Sequence, residues 1–144
     1  MTEQTKIYIT YAVIFVLWYV LQTIGCMGVF KKAGVTKSKA FIPFVREMEL
    51  FRISWADPKQ GKIWLVCALV GLIGFIGGSF TQIQILAWVG VVGMIFSTIL
   101  SIRRNLKESK AFGRSTGTSA LLIFLNPIGN IVIGRSSSEY RSAI

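Results

Sequence analysis

The side chains of this sequence that could do chemistry are few, and most of them are amides. Asn126 and Asn130 share one helical face with Ser119 inside the uncharged run Ser115–Gly134, and Gln22 lies inside another, Ile7–Phe30. An amide in hydrocarbon needs a hydrogen-bond partner, so these residues either glue helices together or line a polar cavity. Cys26 and Cys67 have no Cys-x-x-Cys spacing, and the chain has no histidine, so buried free thiols are expected and a metal site is not. No lysine or acid falls within an apolar run, which removes the residue types of an intramembrane aspartyl protease or a proton-coupled carrier. Gly71-Leu-Ile-Gly74 and Gly113-Arg-Ser-Thr-Gly117 lack the spacing and lysine of a phosphate loop. The acids Glu47, Glu49 and Asp57 read as members of a salt-bridged helix surface before they read as a cation site. No cofactor and no catalytic set are expected.

The elements that must position these residues are apolar helices. From Ile63 to Ile102 the chain carries no Lys, Arg, Asp or Glu. Helices in water need a polar face, whereas uncharged runs of this length span a bilayer. Composition agrees, with 53% hydrophobic and 15% charged residues. The expected fold is a single all-α membrane domain over residues 1–144: a four-helix bundle with spans at about 7–30, 62–80, 83–102 and 118–134. The first reads as a retained helix rather than a signal peptide, since its apolar core is long and its stronger basic flank follows it. The fourth is short and contains Pro127, whose missing N–H and crowding of Ile123 predict a kink or break.

The net charge of +10 is placed unevenly. Residues 31–62 hold eight Lys/Arg against three acids, and residues 103–117 hold five against one. Basic residues in alternate loops follow the positive-inside rule, which puts both loops in the cytoplasm and both termini outside. The basic loops would face anionic lipid headgroups, and nucleic acid is not an expected partner. Within the first loop, Pro43 suits the first turn of a helix over about 43–55. Phe44, Met48, Phe51 and Trp55 would form its apolar stripe. Arg46, Glu49 and Arg52 repeat beside it and could pair along the helix. That pattern describes a helix lying in the headgroup plane, or one packed beneath the bundle.

Two faces of small residues mark helix contacts. Gly71, Gly74 and Gly78 line up with Cys67 on one arm of the central hairpin, and Gly90 and Gly93 with Ser97 and Ser101 on the other. In lipid, helices associate by close backbone approach, so such faces read as packing surfaces.

The run Gly28-Val-Phe-Lys-Lys-Ala-Gly34, followed by Ala40-Phe-Ile-Pro43 and later by Phe112-Gly113-Arg114-Ser115, resembles a family of small bacterial multi-span proteins of unknown function, DUF5684. The chain departs from that family's pattern after the proline, where Phe44-Val45-Arg46-Glu47 replaces a Tyr-Asn pair. Some members are fused to signal peptidase domains, so the resemblance implies work beside secretion or transport machinery. The leading expectation is a non-enzymatic accessory subunit that packs through its glycine faces on a larger membrane protein, or on itself. A small homo-oligomeric channel or transporter with a polar path at Gln22, Asn126 and Asn130 is the first alternative. Protection against membrane-active peptides is the second.

Overall fold

The computed structural model describes all 144 residues and is entirely helical. Three helices are long and apolar enough to cross a membrane: α1 (Glu3–Lys32), α3 (Lys59–Thr81) and α4 (Gln84–Ala111). Thr2 caps α1 by accepting a hydrogen bond from the Thr5 amide, with Glu3 in the first turn. Its end is fixed by Gly34, which takes φ +71° while the Val35 amide reaches back to the Phe30 carbonyl. A 3-10 turn at Lys37–Phe41 then leads into α2 (Pro43–Ser54), with Pro43 in the first turn. Asp57 opens α3 by accepting from the Lys59 amide at 2.9 Å.

α3 and α4 form an antiparallel hairpin closed by Gln82, at φ +60°, and Ile83. Gly71 faces Met94 and Gly93, Gly74 faces Gly90, Gly78 faces Ala87, and the Trp64 indole donates to Ser101 Oγ at 2.9 Å. A Cβ at Gly74 would come within 2.9 Å of the Gly90 backbone, and one at Gly90 would collide with the Phe75 backbone. These backbones touch because no side chain stands between them.

The stretch expected as a fourth span is two helices, α5 (Thr116–Phe124) and α6 (Asn126–Arg135), broken at Leu125. Pro127 cannot donate to Ile123, and the chain folds back sharply enough for Gly129 to lie against Leu122. The direction of each helix follows from its partners. α5 runs antiparallel to the end of α4, with Ser115 beside Ser109 and Leu122 beside Asn105. α6 runs parallel to the end of α1: Asn126 meets Gln22, Asn130 meets Gly25, and Gly134 meets Gly28. The pair therefore starts and finishes at the same end of the molecule, where Lys32 donates to the carbonyls of Ile133, Ser136 and Ser138.

The break expected at Pro127 is therefore a full fold-back, and the element expected as one span over about 118–134 is a pair of short helices. Tyr140 donates to the Ile53 carbonyl, the Ile144 amide donates to Ser54, and the Ala56 amide and Lys107 both donate to Ile144. The tail is thus clasped to the end that carries both basic segments, and not to the opposite end.

The packed core also sits there. Cys26, Val29, Phe30, Leu50, Phe112, Leu122 and Ile133 are buried together, while α1 from Glu3 to Trp18 is exposed on every face. Of the stripe assigned to α2, Phe51 is buried against Trp64 (ring centroids 5.7 Å apart), Met48 and Trp55 are half-buried, and Phe44 is exposed. The helix packs on α3 and α4 through this side.

Candidate functional site

The polar residues of the molecule converge on one cleft of about 250 Å³, lined by Trp18, Gln22, Arg46, Glu47, Ser101, Arg104, Asn105 and Asn126 with Leu122 and Ile123. Five helices build it. Gln22 lies ten residues before Lys32 on α1, hence about 15 Å up the helix from the basic end. α2 rises to the same level, because Tyr19 donates to the Phe41 carbonyl and Arg46 lies 5.8 Å over the Tyr19 ring.

Asn126 is the hub. Its Oδ1 accepts from Gln22 Nε2 at 2.5 Å and from Asn130 Nδ2 at 2.9 Å; its Nδ2 donates to Asn105 Oδ1 and to the Leu122 carbonyl. Asn105 Oδ1 also takes two bonds from the guanidinium of Arg104. Arg104, only 2% exposed, donates in turn to Glu47 and has the wholly buried Glu108 beside it at 3.9 Å. Glu47 thereby joins α2 to α4 across 57 residues of sequence. Its other oxygen is 3.6 Å from Arg46 Nε. A guanidinium this deeply buried is tolerable only because it is paired and hydrogen-bonded on several sides.

The amides Gln22, Asn126 and Asn130, expected as a cavity or as glue, are brought together and bonded to one another. Arg46 is turned inward, 7% exposed, and its only hydrogen bond is to the Ala40 carbonyl at 3.3 Å. The expected repeat of Arg46, Glu49 and Arg52 splits accordingly: Glu49 binds Arg52 and Lys39, each at 2.6 Å, and not Arg46. Burial pushes the Glu49 carboxyl up, but the bonds from Lys39 and Arg52 outweigh it and hold the group below the usual carboxylate range. The glycines Gly71, Gly74, Gly78, Gly90 and Gly93 are remote from the cleft. They are used up inside the α3–α4 hairpin, so their faces are closed to any partner.

Sequence reasoning named Glu47 as a salt-bridged residue of α2 without its partner on α4, and it missed Arg104, Asn105 and Glu108. It took residues 103–117 for a loop, whereas α4 continues unbroken to Ala111. The signal present was local: Arg104 and Glu108 at i, i+4, a helical pairing distance. No grouping of three Cys, Asp or Glu side chains is placed to hold a metal ion. Ser101, the hydroxyl in the cleft, has the Trp64 indole as its partner and no base beside it.

The model of DUF5684, a family of unknown function, matches residues 38–143, from the 3-10 turn to the tail. Ile42-Pro43 and Phe112–Ser115 fall within the match, and the Gly28–Gly34 run falls outside it. No curated protein and no solved structure matches the chain.

Proposed function

The chain belongs to the DUF5684 family, and from that premise we propose that it is a non-enzymatic accessory subunit of a larger membrane assembly. The observation that carries this reading is the isolation of α1. From Glu3 to Trp18 no other helix covers it, although it stands in the same molecule as a closely packed hairpin. Tyr8, Tyr11, Phe15 and Trp18 are spaced three, four and three apart, which gathers them on one side, and all four are exposed. A seam with that spacing suits a second helix laid along it at a shallow crossing angle. Tyr8 and Trp18 lie about 15 Å apart along the helix, so no single interfacial aromatic belt accounts for both.

In this reading α1, α3 and α4 each cross the bilayer once, and α5–α6 enters and leaves it from the cytoplasmic side. The N-terminus is outside, and the two basic segments and the tail are cytoplasmic. The cluster of Gln22, Asn126 and Asn130 serves as glue, because Asn126 Oδ1 accepts from both of the other amides and so ties α6 to α1.

The test is extraction of the full chain in mild detergent, followed by mass determination of the complex. A stoichiometric larger membrane protein is expected, and it is lost when Tyr11→Ala and Phe15→Ala are combined. A homo-oligomer or a monomer would contradict the accessory reading.

A further inference from the structure

We propose that the cleft between α1, α2, α4 and the α5–α6 pair is a binding site for the phosphodiester headgroup of a membrane lipid, with a preference for heads that also carry a hydrogen-bond donor. The inference concerns the cleft, not the α1 seam, and goes beyond the accessory role.

The cleft is a built site. Two side chains on its wall are more than nine-tenths buried and each keeps a polar atom without a partner. Arg46 (7% exposed) has a free Nε donor, and Gln22 (5% exposed) has a free Oε1 acceptor. A buried polar atom left unpaired is costly, so the proper occupant both accepts and donates. Glu47 does not fill that role. One of its oxygens is engaged by Arg104, and the other stands 3.6 Å from Arg46 Nε. The occupant therefore meets Arg46 as an arginine whose carboxylate is already shared. A phosphodiester oxygen suits this donor, since guanidinium and phosphate form charge-assisted bonds. A hydroxyl or ammonium on the same head supplies the donor that Gln22 Oε1 lacks. A bare carboxylate satisfies only the arginine.

The surroundings select a lipid as the source. No helix packs on α1 above Tyr19, so the cleft opens on that side toward the gap beside α1. Its rim carries Trp18 and Ile123, with Phe124, Leu125 and Ile128 exposed beside them. Apolar chains leaving the cleft would run over apolar surface. The volume, about 250 Å³, matches roughly eight waters at ~30 Å³ each, room enough for a compact head.

The experiment is native mass spectrometry of the full chain in mild detergent. It is titrated separately with dioleoyl phosphatidylglycerol, dioleoyl phosphatidylcholine and the acyl-free glycerophosphoglycerol. One phosphatidylglycerol per chain is expected, bound about tenfold more tightly than phosphatidylcholine, whose quaternary ammonium donates no hydrogen bond. Arg46→Gln and Gln22→Leu each weaken the adduct about tenfold, whereas Lys37→Gln, which removes an exposed lysine, leaves it unchanged. The headgroup comparison uses the unaltered chain and stands even where a variant fails to fold. Equal binding of the two lipids overturns the proposal in favour of non-selective lipid contact, and a loss with Lys37→Gln equal to that with Arg46→Gln overturns it in favour of general charge attraction. Equal binding of glycerophosphoglycerol overturns the lipid source, and absence of any adduct means that the cleft holds water only.

Discussion

Asn126 has four partners, three on other helices and one on its own, and all four depend on its amide. Gln22 on α1, Asn105 on α4, the Leu122 carbonyl on α5 and Asn130 on its own helix all bond to its amide. Replacing it leaves buried donors and acceptors without partners, which costs more than the bonds themselves contributed. Asn126→Leu is expected to destabilise the protein by about 1–3 kcal/mol. The check is maleimide labelling of Cys26 during heating, in a Cys67→Ala background: Cys26 is wholly buried and reacts only on unfolding. An unchanged labelling midpoint would mean that the amides bond equally well to water. The two Asn positions and Gln22 were legible in the sequence as polar residues needing partners. The pairing of Glu47 with Arg104 was not, since nothing local links residues so far apart.

At the scale of elements, the α3–α4 hairpin is held by absent side chains. Gly90 and Gly77 illustrate the difference. A Cβ at Gly90 would run into the backbone of Gly74 and Phe75, whereas one at Gly77 would meet only Leu86 Cδ2 at 3.4 Å. Backbone cannot move aside as a side chain can. Gly90→Ala is therefore expected to cost about 1–3 kcal/mol, the usual range for overpacking, and Gly77→Ala to cost little. Comparing thermal unfolding of the two variants in one detergent decides this, and equal effects would mean that the hairpin is loosely packed. The spacing of these glycines announced a contact face but not its partner. The break at Pro127 was likewise announced, but its direction was not. That direction is set by Gly25 and Gly28 on α1, which admit Asn130 and Gly134 at backbone distance. Charge gaps read the lengths of the apolar runs well, and they missed the end of α4. A charged helical turn beyond an apolar run looks, in sequence, like a loop.

For the whole molecule, the folded-back α5–α6 pair leaves three helices long and apolar enough to cross a membrane, and in the proposed reading each crosses once. The packed core, the charged cleft, the basic segments and the clasped tail all gather at one end, and three long apolar helices extend from it. Four apolar runs read as four spans did not foresee the fold-back, because run length alone does not tell a crossing helix from a pair that returns; the proposed three crossings put the C-terminus on the cytoplasmic side. The measurement that tests this arrangement most directly is sidedness of single cysteines, introduced as Thr2→Cys, Gln82→Cys and Ser142→Cys in a chain with Cys26→Ala and Cys67→Ala. Intact cells are treated with a membrane-impermeant maleimide. Labelling at positions 2 and 82, with position 142 reacting only after lysis, is the predicted result. Labelling at position 142 from outside would show that α5–α6 crosses the membrane and would contradict the account.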